Sequence, residues 1–253
     1  MFKERKYMAD KIRMFDIHCH CLYGMDDGSQ SLEMSLEMLK TGRKQGVTDV
    51  VCSSHSWGKL EDYEENFSTL QRAVVENNIP IKLYKGNELA CAEDRVANLT
   101  ERLENGSLYT IAGNDYILIE FLPWITTSEV LYVVKELQKA KIKASGNPAK
   151  IIIAHVERYF EFHNDENIIR QLEELGCLLQ INVYSLVKET DEGIKSYARK
   201  MLKEEKLSFI GSDAHRSNHR PPDVIDGLKY IYDNCSKEYA DRVCWGNAEN
   251  ILK

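Results

Sequence analysis

The chain has 253 residues, 43% hydrophobic and 29% charged, with a formal net charge of −7 and seven cysteines. That length suits one large globular unit. The acidic balance without a basic block disfavours nonspecific nucleic-acid or membrane binding, and an odd number of scattered cysteines argues against a secreted disulfide framework.

Residues 1–13, MFKERKYMADKIR, lack the apolar centre of a signal peptide and are read as an N-terminal extension of unassigned role, with residues 14–253 as one domain. No apolar run approaches the roughly 20 residues that span a bilayer, so a cytoplasmic chain without membrane insertion is expected. The first strand is MFDIHC (14–19), followed by a helix over 31–46 that Ser29 or Ser31 caps and Gly46 ends. Further candidate strands are TDVVCSS (48–54), IKLYKGNEL (81–89), YILIEFL (116–122), KIIIAHV (150–156), LLQINV (178–183) and LSFIGSD (207–213). Amphipathic stretches separate them: NFSTLQRAVVENN (66–78), VLYVVKELQKAK (130–141), NIIRQLEELG (167–176) and YARKMLKEEK (197–206). No linker, low-complexity tract or sequence repeat interrupts this order.

Strands alternating with helices predict an α/β fold with a parallel sheet. The polar residues choose between an open sheet and a barrel. His18 and His20, His55, Glu88, Glu120, His155, then Asp213 and His215 all fall at the C-terminal ends of predicted strands. Barrel enzymes collect their site from many strand ends, whereas an open sheet concentrates it at one switch point. A closed or nearly closed, TIM-like barrel of seven strands is expected.

Side chains two apart on a strand share a face, so His18 and His20 can offer two imidazoles to one metal without backbone distortion, and Asp213 and His215 repeat the spacing. A histidine at a strand end is more often a hydrogen-bonded structural group, but five of the seven histidines occupy such ends, with His163 and His219 in loops just beyond. Glu88 and Glu120 end apolar strands, where a buried unpaired carboxylate is costly and a cation repays the burial. Asp27 of the DDG turn can reach a metal or cap the following helix; Asp26 fits the capping role too. Imidazoles and carboxylates without thiolates suit Zn²⁺, Mn²⁺ or Fe²⁺ rather than Ca²⁺, and so many donors imply more than one ion.

The set "DIHCH…DDG", "SSH", "GNE", "IEF", "AHVERY" and "GSDAHRSNHRPP" resembles the polymerase and histidinol phosphatase (PHP) superfamily. Within it the match is to the manganese-dependent protein tyrosine phosphatases of bacterial capsule and exopolysaccharide operons, the CpsB/YwqE type. The resemblance runs from Met14 to about Pro222. It implies a distorted (β/α)7 barrel with three Mn²⁺ ions, Zn²⁺ or Fe²⁺ being alternatives. The implied metal ligands are His18, His20, Asp27, His55, Glu88, Glu120, His155, Asp213 and His215. It further implies phosphate binding by Arg158 and Arg220, and a phosphotyrosine protein substrate such as the tail of a bacterial tyrosine kinase. Two departures, Ser54-His55-Ser56 after the second strand and Val156 in place of the proline of "HPERY", remove no ligand.

Phosphate ester hydrolysis needs an in-line nucleophile and positive charge on the equatorial oxygens. A hydroxide bridging two metals is the expected nucleophile. Guanidinium forks at Arg158 and Arg220 match the phosphoryl oxygens, and Asp213 or His215 is a candidate to protonate the leaving phenolate, with no acid assigned. Cysteine-dependent tyrosine phosphatases use HCx5R, and His18-Cys19 begins that pattern, but Met25 stands where the arginine belongs. Cys19 is therefore expected to be core packing. Trp124 and Tyr184 are candidates to stack on a phosphotyrosine ring. The competing readings are a histidinol phosphatase or other small-molecule phosphoesterase, and a noncatalytic metal-binding regulatory module.

Overall fold

A computed structural model describes residues 12–57, 60–189 and 191–253; most of the N-terminal extension, residues 1–11, lies outside the described residues. Strand β1 (Met14–Cys19) is buried at every position, as expected of a parallel strand covered on both faces. It pairs in parallel with β2 (Val47–Cys52), and β2 with β3 (Lys82–Lys85). A second parallel sheet runs in chain order through β4 (Glu88–Ala90), β5 (Tyr116–Glu120), β6 (Lys150–Ile153), β7 (Leu178–Asn182) and β8 (Phe209–Gly211).

The two sheets are joined at two places beyond the strand ends. Isolated parallel bridges join Cys19 to Ala214 and His55 to Glu88. At the first junction Asp213 N–H donates to His18 O at 2.7 Å and His20 N–H to Ala214 O at 2.8 Å. At the second, Ser56 N–H donates to Glu88 O at 2.9 Å. The result is a distorted barrel. Phe15, Ile17, Val51, Leu118, Ile152 and Phe209, drawn from five strands, form one buried cluster inside it, while a larger cluster lies between strands and helices.

The single strand expected over 81–89 is two strands, β3 and β4. Between them Gly86 and Asn87 leave the ladder and find other partners: the Tyr63 hydroxyl donates to Gly86 O, and the Asn87 side chain accepts from Tyr109 N–H and donates to Ser54 O. The break passes the chain from one sheet to the other and aims Glu88 into the barrel mouth.

Helix α1 (Leu32–Lys44) is capped by Ser31, whose hydroxyl accepts from Met34 N–H. After it come α2 (Tyr63–Glu76), α3 (Val96–Glu104) and α4 (Thr127–Ser145), the last opened by a Thr126–Glu129 capping box and closed by Gly146 at φ 80°. Next are the short α5 (Phe160–Asn164), α6 (Glu166–Glu174) and α7 (Glu192–Lys203). Helix α3 was not expected: no side chain caps it, and three buried residues, Val96, Leu99 and Leu103, are its whole apolar face. The C-terminal helices α8 (Ile225–Asn234), α9 (Lys237–Asp241) and α10 (Asn247–Ile251) also fall where no strand follows to mark a unit. Among the described residues no helix is long and apolar enough to cross a membrane.

Candidate metal centre

At the strand ends nine ligand-type side chains converge. His18 Nε2 and His20 Nε2 are 3.3 Å apart. Glu88 sits in the middle: Oε1 is 3.1 Å from His18 Nε2 and 3.2 Å from His155 Nε2, while Oε2 is 3.2 Å from both His20 Nε2 and His55 Nδ1. Glu120 Oε1 lies 3.1 Å from His55 Nδ1, and Asp213 Oδ1 lies 3.5 Å from His18 Nε2. Asp27 Oδ1 is 3.7 Å from Nε2 of both His55 and His215. These nine fall into overlapping groups of metal-ligating geometry: His20, Asp27, His55 and His215; His18, Glu88 and His155; His18, His20 and Asp213; His55, Glu88 and Glu120. The structure thus brings together every residue of the ligand set implied by the resemblance.

The second nitrogen of each ring orients it. His18 Nδ1 faces Gln180 Oε1 at 3.2 Å, His20 Nδ1 faces Asp26 Oδ2 at 2.8 Å, His155 Nδ1 faces the Tyr159 hydroxyl at 3.3 Å, and His215 Nδ1 faces Asp213 O at 3.0 Å. With Nδ1 held outward, four rings turn Nε2 toward the cluster, the outer-partner arrangement of histidine ligands. His55 differs. Its Nδ1 is buried between Glu88 and Glu120 without a well-aligned hydrogen bond, and a cation between these groups would complete the contact. The donor set therefore fits divalent transition-metal ions, with imidazole and carboxylate in mixed groups.

Local structure is bent to this end. The β1–β2 ladder shifts register between Asp16 and Cys19, so the histidine pair comes with a backbone irregularity, contrary to the undistorted strand expected for it. His155, Asp213 and Arg220 hold φ of 33°, 50° and 54°, a left-handed region costly for non-glycine residues and concentrated here at the site. Gly28 passes so close to His20 that a Cβ there would lie 2.4 Å from His20 O.

Burial works against charge throughout the cluster, and the partners decide the outcome. Burial raises the Glu88 carboxyl, but His18, His155 and His20 overcome it and hold Glu88 well below the usual carboxylate range. His20 loses to burial and gains more from Asp26 and Glu88, ending well above the usual imidazole range. His155, opposed by burial and by Arg158 but favoured by Glu120 and Glu88, is raised to about 9. His215 goes the other way, lowered to about 3 by burial and by the charges of His20 and Arg220, and stays neutral at pH 7. Asp213, raised by burial, is driven far below its ordinary range by His18, Arg158 and Arg220.

Both arginines reach the cluster through Asp213. Arg158 Nη1 is 3.0 Å from Asp213 Oδ2, and Arg220 Nη2 contacts the same oxygen. Arg220 Nη1 lies 3.2 Å from His215 Nε2, while its Nε is buried without a partner. Tyr184 is half-buried and its hydroxyl accepts from Arg158, so it braces the guanidinium; Trp124 is 71% exposed.

Several groups were not visible to sequence reasoning. Asp26 caps no helix: it is buried on His20, takes the His55 backbone N–H at 2.7 Å and that of Gly28 at 2.9 Å. Gln180 also accepts from His155 N–H, and Asn182 donates to Asp213 Oδ2. Trp57 stacks on His55 with ring centroids 4.8 Å apart. His163 lies in α5, not a loop, where it bonds Glu157 O and stacks on Tyr197, away from the cluster. Cys19 is buried with Sγ 3.8 Å from Ala214 O, and burial with the neighbouring Cys21 raises its thiol well above the usual range. All seven cysteines are free.

Fold and site define a class: a parallel α/β barrel whose strand ends gather a candidate metal site flanked by guanidinium groups. The chain belongs, over residues 14–253, to the family described as capsular polysaccharide synthesis, CpsB/CapC. It is 28% identical over 250 residues to the tyrosine-protein phosphatase CpsB of Streptococcus agalactiae serotype III, covering 95% of this chain and 98% of that protein. It is 30% identical over 236 residues to CpsB of Streptococcus pneumoniae, covering 89% and 91%. Among solved structures, one from the work on YwqE of Bacillus subtilis and CpsB of Streptococcus pneumoniae, described as unique metal-dependent tyrosine phosphatases, superimposes with a TM-score of 0.80 at 25% identity, covering 94% of each chain.

Proposed function

We propose that this chain is a manganese-dependent protein tyrosine phosphatase that acts in the bacterial cytoplasm on the phosphorylated tail of a tyrosine kinase controlling capsular or exopolysaccharide synthesis. The observation that carries the reading is the Asp213 carboxylate, which turns Oδ1 toward the histidines of the metal cluster and Oδ2 toward Arg158 and Arg220. A phosphoryl group that replaces Asp213 as partner of these guanidiniums lies against the metal ligands.

His18, His20, Asp27, His55, Glu88, Glu120, His155, Asp213 and His215 would hold three ions, with Mn²⁺ favoured. Bound there, the ions supply Lewis acidity and activation of water. Arg158 and Arg220 bind the phosphoryl oxygens and neutralise charge that grows on them in the transition state. Tyr184 holds the Arg158 fork in place. Neutral His215 and ionised Asp213 are suited to hold a metal rather than to donate a proton. The phenolate of tyrosine departs with less protonation than an alkoxide needs.

The test is metal content of freshly purified protein, paired with kcat/KM on a phosphotyrosine peptide, a phosphoserine peptide and histidinol phosphate at one Mn²⁺ concentration. Phosphotyrosine should be preferred. A clear preference for histidinol phosphate would sink the reading in favour of a small-molecule phosphatase, and absence of turnover with metal bound would favour a regulatory module.

A further inference from the structure

Among the described residues eight large apolar side chains are markedly exposed, and four of them, Trp57, Leu122, Trp124 and Phe160, stand in the segments that follow His55, Glu120 and His155, Phe160 as the first residue of α5. These segments are contiguous. Trp57 stacks on His55, whose Nδ1 is 3.1 Å from Glu120 Oε1, and the loop after Glu120 is tied to the next by Phe160 N–H donating to Pro123 O at 3.1 Å. Exposed apolar residues scattered singly need no explanation, but a group along one margin of a site marks a binding surface.

We propose that this apolar margin receives the polypeptide on either side of the phosphotyrosine, and that it selects substrates with apolar or aromatic residues next to the phosphorylated position. The inference rests on the phosphatase reading and adds its substrate preference. Position supports this occupant: Arg158 and Arg220 are engaged by the phosphoryl group, and Trp57 stacks directly on His55 of the cluster, so the chain beside a bound phosphotyrosine meets this margin first. Size supports it too. Four side chains at these exposures offer on the order of 500 Å², short of the roughly 800 Å² per partner of a stable protein interface and adequate for a few peptide residues.

The experiment compares wild type with the double variant Leu122→Ser, Phe160→Ser, since neither residue touches the metal ligands. Substrates are a phosphotyrosine peptide flanked by Leu and Phe, the same peptide flanked by Asp, and p-nitrophenyl phosphate, all with Mn²⁺. Wild type should prefer the apolar peptide. The variant should lose about tenfold or more in kcat/KM on it, chiefly through KM, as expected for one or two apolar contacts, and keep its rate on p-nitrophenyl phosphate. Equal losses on peptide and small substrate, or no loss on either, would overturn the proposal. So would a concentration-dependent dimer seen by light scattering in wild type and lost in the variant, which would give the margin to a second copy of the chain. Wild type inactive on every substrate removes the phosphatase reading itself, whereas wild type active on all with an unaffected variant removes this inference alone.

Discussion

Arg158 Nη1 lies 3.0 Å from Asp213 Oδ2, while Oδ1 of the same carboxylate lies 3.5 Å from His18 Nε2. On the proposed reading one buried side chain ties phosphate recognition to metal binding, and mutation can separate the two. Arg158→Ala and Arg220→Ala should keep their metal and lose turnover by a factor of about 10²–10³, the effect of removing a donor to developing charge. His18→Ala and Glu88→Ala should lose metal. Elemental analysis beside steady-state kinetics reads both, and unchanged kinetics in Arg220→Ala would remove that residue from the site.

Cys19→Ser should remain active and metal-bound. The thiol is buried, raised by Cys21 and by burial, and has no arginine six residues on to hold a phosphate. Loss of activity in this variant with metal content intact would overturn the metal mechanism.

Gly28→Ala should impair the centre without touching a ligand. The added Cβ meets His20 O at 2.4 Å and His20 Cβ at 2.5 Å, in the turn where Asp26 fixes the His20 ring. Mn²⁺ affinity should fall by about 10- to 100-fold, the usual scale for disturbing the outer partners of a metal site. Titration of the ion-stripped variant with Mn²⁺ checks it, and wild-type affinity would show that the turn can yield.

The convergence of the candidate ligands was legible because a strand end combines two readable facts: period-two geometry puts His18 with His20, and an apolar run ending in Glu120 leaves a carboxylate that needs a partner. Their supports were not. Asp26 and Asp27 are neighbours of one type, and only the turn at Gly28 turns the first onto His20 and leaves the second at the mouth. Gln180 and Asn182 read as ordinary strand polars until β7 is placed beside β6 and β8. The split of β3 from β4 was hidden for the same reason, since the partners of Gly86 and Asn87, namely Tyr63, Tyr109 and Ser54, are distant in sequence.

Proton competition gives the last prediction. In the ion-free protein His155 is raised from the ordinary 6.5 to about 9, and His20 and His55 are raised as well, through the carboxylates they face. A raised imidazole contributes stability that is fully present below pH 6.5 and is lost as pH rises through about 9. His215, lowered to about 3, acts in the opposite sense, but below pH 6.5, where stability falls as it is forced to charge. A metal needs the neutral rings, so binding expels the protons of His155, His20 and His55 and strengthens with pH over the same window. Between pH 6.5 and 9 the Tm of the chelator-treated protein should therefore fall while the gain in Tm on adding Mn²⁺ grows. Calorimetric titration with Mn²⁺ at pH 7 in two buffers of different ionisation enthalpy should report net proton release, smaller in His155→Gln. Binding without proton release would show that the ions do not occupy these histidines.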